Sequence, residues 1–171
     1  MKKFRSVNLR TSSRGPLLLL MSVLILLIIL KIKKYLFGMT TKNSYAAELY
    51  GDLLAAGFNI QTAKYVVAQA AHETGNFKSD LFTKWNNPFG MNQPSMRLTT
   101  STGPTPDGFA SYGSLFQAAL DYRYWWQARN MPETFSDITD FVGTLENKNY
   151  FEASLSEYLR GCQDFYKLYY S

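Results

Sequence analysis

Residues 59–77 read Asn59-Ile60-Gln61-Thr62-Ala63-Lys64-Tyr65-Val66-Val67-Ala68-Gln69-Ala70-Ala71-His72-Glu73-Thr74-Gly75-Asn76-Phe77. Asn59 suits an N-cap, because its short side chain accepts from the free N–H groups of a first helical turn, and Gly75 suits a stop. The spacing predicts a helix over 60–74. Along it Ala63, Val66 and Ala70 lead by i+3 and i+4 steps to Glu73, which puts a carboxylate on the packed face in the last turn. The helix dipole disfavours an anion there and partial burial adds a desolvation cost, so both raise its pKa. A carboxyl still protonated near neutral pH can act as a general acid. The plainer reading, an ion-paired or snorkelling glutamate at a helix end, stays open on pattern alone.

Working outward, 44–56 reads as a preceding helix with Tyr45, Leu49, Leu53 and Ala56 on one stripe and Gly57 as its stop. From 86 to 111 the character changes. Pro88, Pro94, Gly103, Pro104, Pro106 and Gly108 surround a Thr-rich stretch, which predicts an irregular loop with a short hairpin. Three further helices are expected over 114–129, 133–145 (after Pro132) and 152–169. Residues 43–171 carry 10 Phe, 11 Tyr and 3 Trp, with no low-complexity run or internal repeat, so they can bury a substantial core. The cluster from Tyr122 to Trp126 falls at core spacing on its helix, with a sugar platform as the minor alternative.

Four blocks then fall in a telling order. Ala70-Ala71-His72-Glu73-Thr74-Gly75-Asn76-Phe77 is followed by Asn86-Asn87-Pro88-Phe89-Gly90-Met91, then Phe109-Ala110-Ser111-Tyr112-Gly113-Ser114, then Asn149-Tyr150-Phe151 with Glu157-Tyr158. Together they resemble the glucosaminidase domain of peptidoglycan hydrolases, glycoside hydrolase family 73, over roughly 44–170. The resemblance implies a mainly α, lysozyme-like α+β fold, here five helices with a small β-hairpin lobe, and cleavage of the β-1,4 bond after N-acetylglucosamine in peptidoglycan. It implies that Glu73 is the catalytic acid and that Phe89 and Gly90 help floor the sugar cleft, beside Asn87 and Tyr112 of the same blocks. Tyr150 and Tyr158 are the candidates for the family's active-site tyrosine. Trp85, just before the Asn86-Asn87 turn, is a candidate stacking face, with a core role as the alternative. A lytic transglycosylase needs the same single glutamate, and a wall-binding or structural protein of this fold needs no turnover at all.

The chain departs from the family where a second acid is expected. Between Gly90 and Tyr112 the only acid is Asp107, in Thr105-Pro106-Asp107-Gly108, whose plain reading is a turn. Either Asp107 is the base that activates water, or the substrate's own N-acetyl group is the nucleophile and no second acid is required. Phe109-Ala110 also lacks the arginine usual in that block.

The chain of 171 residues has 18 Lys+Arg against 13 Asp+Glu, a net +5 that describes neither part of it. Residues 1–42 hold nine basic residues and no acid; residues 43–171 hold nine basic and 13 acidic residues, a net of −4. A nucleic-acid partner is therefore not expected. Leu17 to Leu30 is strongly apolar except for Ser22. At about 1.5 Å per residue it covers roughly 21 Å, short of a core of about 30 Å. Snorkelling Lys31, Lys33 and Lys34 with interfacial Tyr35 and Phe37 extend it to an effective span. The expected organisation is a basic segment 1–16, a transmembrane helix 17–37, a linker 38–43 and a glucosaminidase domain 44–171. Five basic residues before the span and four after it favour a cytoplasmic N-terminus and an extracytoplasmic domain, in a bacterial envelope or a viral membrane. A cleaved signal peptide is the competing reading, opposed by the lysines directly after the apolar run.

Other chemistries are poorly supplied. One His and one Cys are too few for a usual structural zinc site, and His72-Glu73 does not continue into H-E-x-x-H because residue 76 is Asn. Cys162 lies on the Leu155, Tyr158, Leu159, Phe165 stripe of the last helix, the pattern of a buried thiol. Neither a metal nor another cofactor is expected, and no oligomeric state is legible.

Overall fold

The computed structural model describes residues 25–27 and 43–171. The chain divides into two units, Met1–Phe37 and Gly38–Ser171, and the architecture below is that of the second. The expected span at 17–37 lies outside the described residues apart from 25–27, which are helical. Among the described residues no helix is long and apolar enough to cross a membrane.

Asn43 opens α1 (Ser44–Ala55) by accepting from the Tyr45 and Ala46 N–H groups, and Gly57 turns the chain with a φ of 95°. Asn59 does the same for α2 (Ile60–Glu73), through Gln61 and Thr62. Nine residues of α2 are buried, on nearly every side of the helix, as expected of a central element rather than an amphipathic surface one. It packs on α1 and, most extensively, on the last helix. A six-residue helix follows, α3 (Asp80–Trp85), capped by Ser79 and ended by Asn86 in the left-handed conformation. Residues 86–114 form the β-lobe, in which β1 (Gly103–Pro104) and β2 (Ala110–Ser111) pair antiparallel and Asn92 bridges to Phe109. Then come α4 (Leu115–Ala128), α5 (Ile138–Asn147) and α6 (Leu155–Tyr170). α1 also packs on α4, and α5 packs on α6.

The mainly helical expectation holds, with corrections at three places. The domain has six helices where five were expected. α3 is too short for hydrophobic periodicity to register, and its boundaries come from the Ser79 cap and the Asn86 turn. α5 begins at Ile138 because Asp137 caps it; Glu133, the expected start, instead pairs with Arg123 at 2.8 Å while its carbonyl accepts from Thr62 Oγ1. α6 likewise begins at Leu155 behind the Ser154 cap, which leaves Glu152 in the preceding loop.

The core is aromatic, as its composition implies. Tyr122 and Trp126 are fully buried, and Trp126 packs edge-on against Phe58 at 5.0 Å. Cys162 is fully buried too, and burial pushes its thiol pKa up. The α2–α6 contact is close at its end nearest the β-lobe. A Cβ at Gly161 would stand 2.2 Å from His72 Nδ1, so only a glycine lets the imidazole lie against α6.

Candidate active site

Glu73 is the last residue of α2, and the turn after it is built by its neighbours. Buried Thr74 donates through Oγ1 to the Ala70 carbonyl and accepts from the Phe77 N–H at 2.8 Å. Gly75, Asn76 and Phe77 then take three successive positive φ values of 55°, 65° and 62°. Such a run is costly for the two non-glycine residues. Asn76 Oδ1 is held from both sides by Asn43 Nδ2 and the Tyr169 hydroxyl, and the Phe77 ring is buried. The backbone thus leaves α2 sharply at Glu73 and exposes its carboxyl at the end of the core helix.

The loop opposite is organised by Asn87, which is fully buried. Its Nδ2 donates to the carbonyls of Met91 (2.9 Å) and Ala110 (2.8 Å), and its Oδ1 accepts from the N–H groups of Phe89 and Met91 (both 3.2 Å). One side chain therefore folds the loop and ties it to β2. Gly90 has a φ of 62°, and a Cβ there would lie 3.8 Å from Glu73 Oε2, so the loop backbone passes beside the carboxyl. Phe89 stacks on Tyr122 at 4.3 Å, and its carbonyl accepts from the Tyr150 hydroxyl at 2.6 Å.

These parts enclose a cleft of about 650 Å³, lined by Glu73, Gly90, Arg97, Trp125, Tyr150 and Glu152 among others. That size is ordinary for a small-molecule or sugar site, which runs about 300–1,000 Å³. The Tyr158 hydroxyl donates to Glu73 Oε1, and the Tyr158 ring is gripped by His72 edge-on at 4.8 Å and by Phe151 stacked at 3.8 Å. Glu73 is exposed as a residue, since it faces the open cleft, yet protein crowds its carboxyl on the remaining sides. Desolvation raises its pKa, and the hydrogen bond from Tyr158, which favours the anion, only partly offsets this. Burial and the neighbouring Glu73 charge push the Tyr158 phenol far up, so it stays a donor. Replacing Tyr158 with Phe removes the bond that favours the carboxylate, so the Glu73 pKa should rise further. If Glu73 is the general acid expected from sequence, the alkaline limb of the kcat/KM profile should then move to higher pH; a move to lower pH would contradict that expected role.

Of the residues expected from sequence, the cleft gathers Glu73, Phe89, Gly90, Tyr150 and Tyr158. Asn87 stands behind the loop as its organiser. Tyr112 is buried away from the cleft, its hydroxyl donating to Asp121 Oδ2 at 2.8 Å. Asp107 and Trp85 are not brought to this cleft. They line a separate depression of about 420 Å³ with Leu81, Thr105 and Phe109, and Asp107 sits exposed in a turn closed by the Gly108 N–H to Thr105 carbonyl bond. The pairing of β1 with β2 sends the hairpin tip there, so the turn reading of Asp107 stands.

Among the cleft residues that sequence did not single out as site residues are Trp125, Arg97 and Glu152. Trp125 was counted with the core cluster, but it lies half-buried against Tyr150 at 5.0 Å. Arg97 comes from an irregular segment without periodicity. It forks onto fully buried Asp121 with bonds of 2.8 and 2.6 Å, which supplies a guanidinium although Ala110, in the block where an arginine was expected, is buried and paired in β2. Burial opposes charge on Asp121, but the bonds from Arg97 and Tyr112 outweigh it and hold its pKa below the ordinary value. Glu152 follows a recognised block, but nothing in its spacing separates it from the nearby Glu146 and Glu157. Among the described residues no group of three His, Cys, Asp or Glu side chains is placed to hold a metal.

An acid of raised pKa at the head of an aromatic-walled cleft is the equipment of a protein that breaks glycosidic bonds. Residues 52–170 match the family described as mannosyl-glycoprotein endo-beta-N-acetylglucosaminidase, and the chain belongs to this glucosaminidase family of glycoside hydrolases. No curated protein and no solved structure gives a match.

Proposed function

We propose that the chain is a membrane-anchored peptidoglycan hydrolase that cleaves the β-1,4 bond after N-acetylglucosamine, with Glu73 as general acid. The observation that carries this reading is the Glu73 carboxyl itself, raised in pKa by burial, held by the Tyr158 hydroxyl and open to the cleft. In this reading the strand lies along the Phe89-Gly90 loop, where half-exposed Gly90 and Trp125 contact the sugar. Glu73 protonates the leaving oxygen as the bond to C1 breaks. Net charge of −4 over 43–171 means that bulk positive charge does not draw the glycan in, so recognition rests on shape, stacking and hydrogen bonds. The apolar run at 17–37 would tether the domain outside the cytoplasm, and tag accessibility at each terminus in intact cells checks this; a cytosolic C-terminus would rule the location out.

The chemical test is digestion of purified peptidoglycan by the full chain, followed by mass spectrometry of the ends. New reducing N-acetylglucosamine ends are expected. Anhydro-muramic ends would make it a transglycosylase, and binding without soluble fragments would make it a wall-binding protein.

A further inference from the structure

Hydrolysis without help from the substrate's N-acetyl group takes a second protein group to activate water, and Asp107 lies in a different depression from Glu73. Within the lining of the Glu73 cleft there is one other carboxylate, Glu152. Its segment is fixed at both ends. The α5 helix closes through Asn149 in the left-handed conformation, with the Tyr150 N–H bonded to the Leu145 carbonyl at 3.1 Å. Tyr150 is then pinned to the Phe89 carbonyl, next to the Gly90 backbone that passes Glu73. Phe151 lies flat on Tyr158, with an interplanar angle of 5°, and Tyr158 is the residue bonded to Glu73. Glu152 follows directly, ahead of the Ser154 cap of α6. A short chain of fixed contacts thus runs from the acid through Tyr158 and Phe151 to Glu152, an exposed residue that lines the same cleft. No partner from the protein holds that carboxylate in an ion pair among the described residues.

We infer that Glu152 is the general base of an inverting hydrolysis in this cleft, an inference that rests on the reading of the cleft as glycan-cleaving. The Glu152 carboxylate takes a proton from water while the water oxygen forms its bond to C1. The C1–O bond breaks with its electron pair passing to the leaving oxygen, and that oxygen takes the proton of Glu73. Glu152 ends protonated and Glu73 ionised, and solvent exchange restores both. Inverting pairs stand about 6.5–9.5 Å apart to admit the water, against about 5–5.5 Å for a direct nucleophile. A linkage through a tyrosine and a stacked ring, rather than direct contact, suits the wider case.

The experiment follows a soluble peptidoglycan oligosaccharide by proton NMR with the full-length chain. The first-formed product should be the α-anomer. Glu152→Gln should lower kcat by about 10²–10⁴-fold with little change in KM. Azide should restore turnover in Glu152→Ala and yield the α-glycosyl azide, a readout that a merely structural role would not move. Wild-type protein that releases nothing would overturn the reading of the cleft, and this inference with it. Wild-type cleavage that depends on Glu73 but gives the β-anomer first, as assistance by the N-acetyl group requires, would overturn Glu152 alone. So would full activity in Glu152→Gln, or loss of activity in Asp107→Asn with Glu152→Gln intact.

Discussion

Glu73→Gln should lose at least about 100-fold, and up to about 10⁴-fold, in the rate of reducing-end release, the range that a positioned general acid supplies. The amide keeps the size of the side chain and can still accept from Tyr158, so KM and the fold should hardly move. The variant also has a stability signature. Glu73 has a native pKa raised above its unfolded value, so the native state binds the proton more tightly than the unfolded chain does. Stability from this group is therefore greatest below the unfolded value of about 4.3 and is lost as pH rises through the higher native value. At pH 7 the wild type carries that loss and the Gln variant does not. Urea denaturation should show the variant at least as stable as wild type at neutral pH, with any advantage gone at pH 4. Activity unchanged in Glu73→Gln would refute the mechanism, whereas inactivity with a clear loss of stability would mean that the substitution had damaged the fold.

Arg97→Met should destabilise the domain by about 3–5 kcal/mol, the usual consequence of stranding one member of a buried ion pair. Asp121 is fully buried and accepts from Arg97 Nη1 and Nη2, from the Tyr112 hydroxyl and from the Thr100 N–H at 3.2 Å. In the wild type its depressed pKa contributes stability that is present above the unfolded value, about 3.9, and lost as pH falls through the lower native value. Without the guanidinium the same burial raises the Asp121 pKa instead. The deficit of Arg97→Met should thus be largest at neutral pH and shrink in acid, as the carboxyl takes up a proton. Adding Asp121→Asn should recover a good part of the loss, because the amide oxygen still accepts from Tyr112 while no charge is buried. Denaturation of the two single variants and the double variant at pH 7 and pH 4.5 checks this; a pH-independent loss would mean that Arg97 acts by packing alone. The guanidinium also lines the cleft, so some loss of activity is expected even where the variant remains folded.

Much of this molecule was readable from residue order. The helix start at Asn59, stops at Gly57 and Gly75, the mainly helical class, the buried Cys162 and a carboxylate on the packed face at the end of a helix all follow from capping chemistry and periodicity, which are local properties. The glucosaminidase family follows from four blocks in order. α3 was missed because six residues hold less than two turns of pattern, and the starts of α5 and α6 were misplaced because the caps at Asp137 and Ser154 compete with equally helical residues before them. Only the tertiary structure could decide which acids share a cleft. Asp107 stands out in sequence as the one acid of the β-lobe, while Glu152 is one of several acids near the last helix, with nothing to mark it. Hairpin pairing carries Asp107 to a separate depression, while the Tyr150 bond to Phe89 and the Phe151 stack on Tyr158 bring Glu152 to Glu73. Those contacts join residues 61 and 7 positions apart, and the longer one depends on how α2, the β-lobe and the α5–α6 loop meet, which no local pattern encodes.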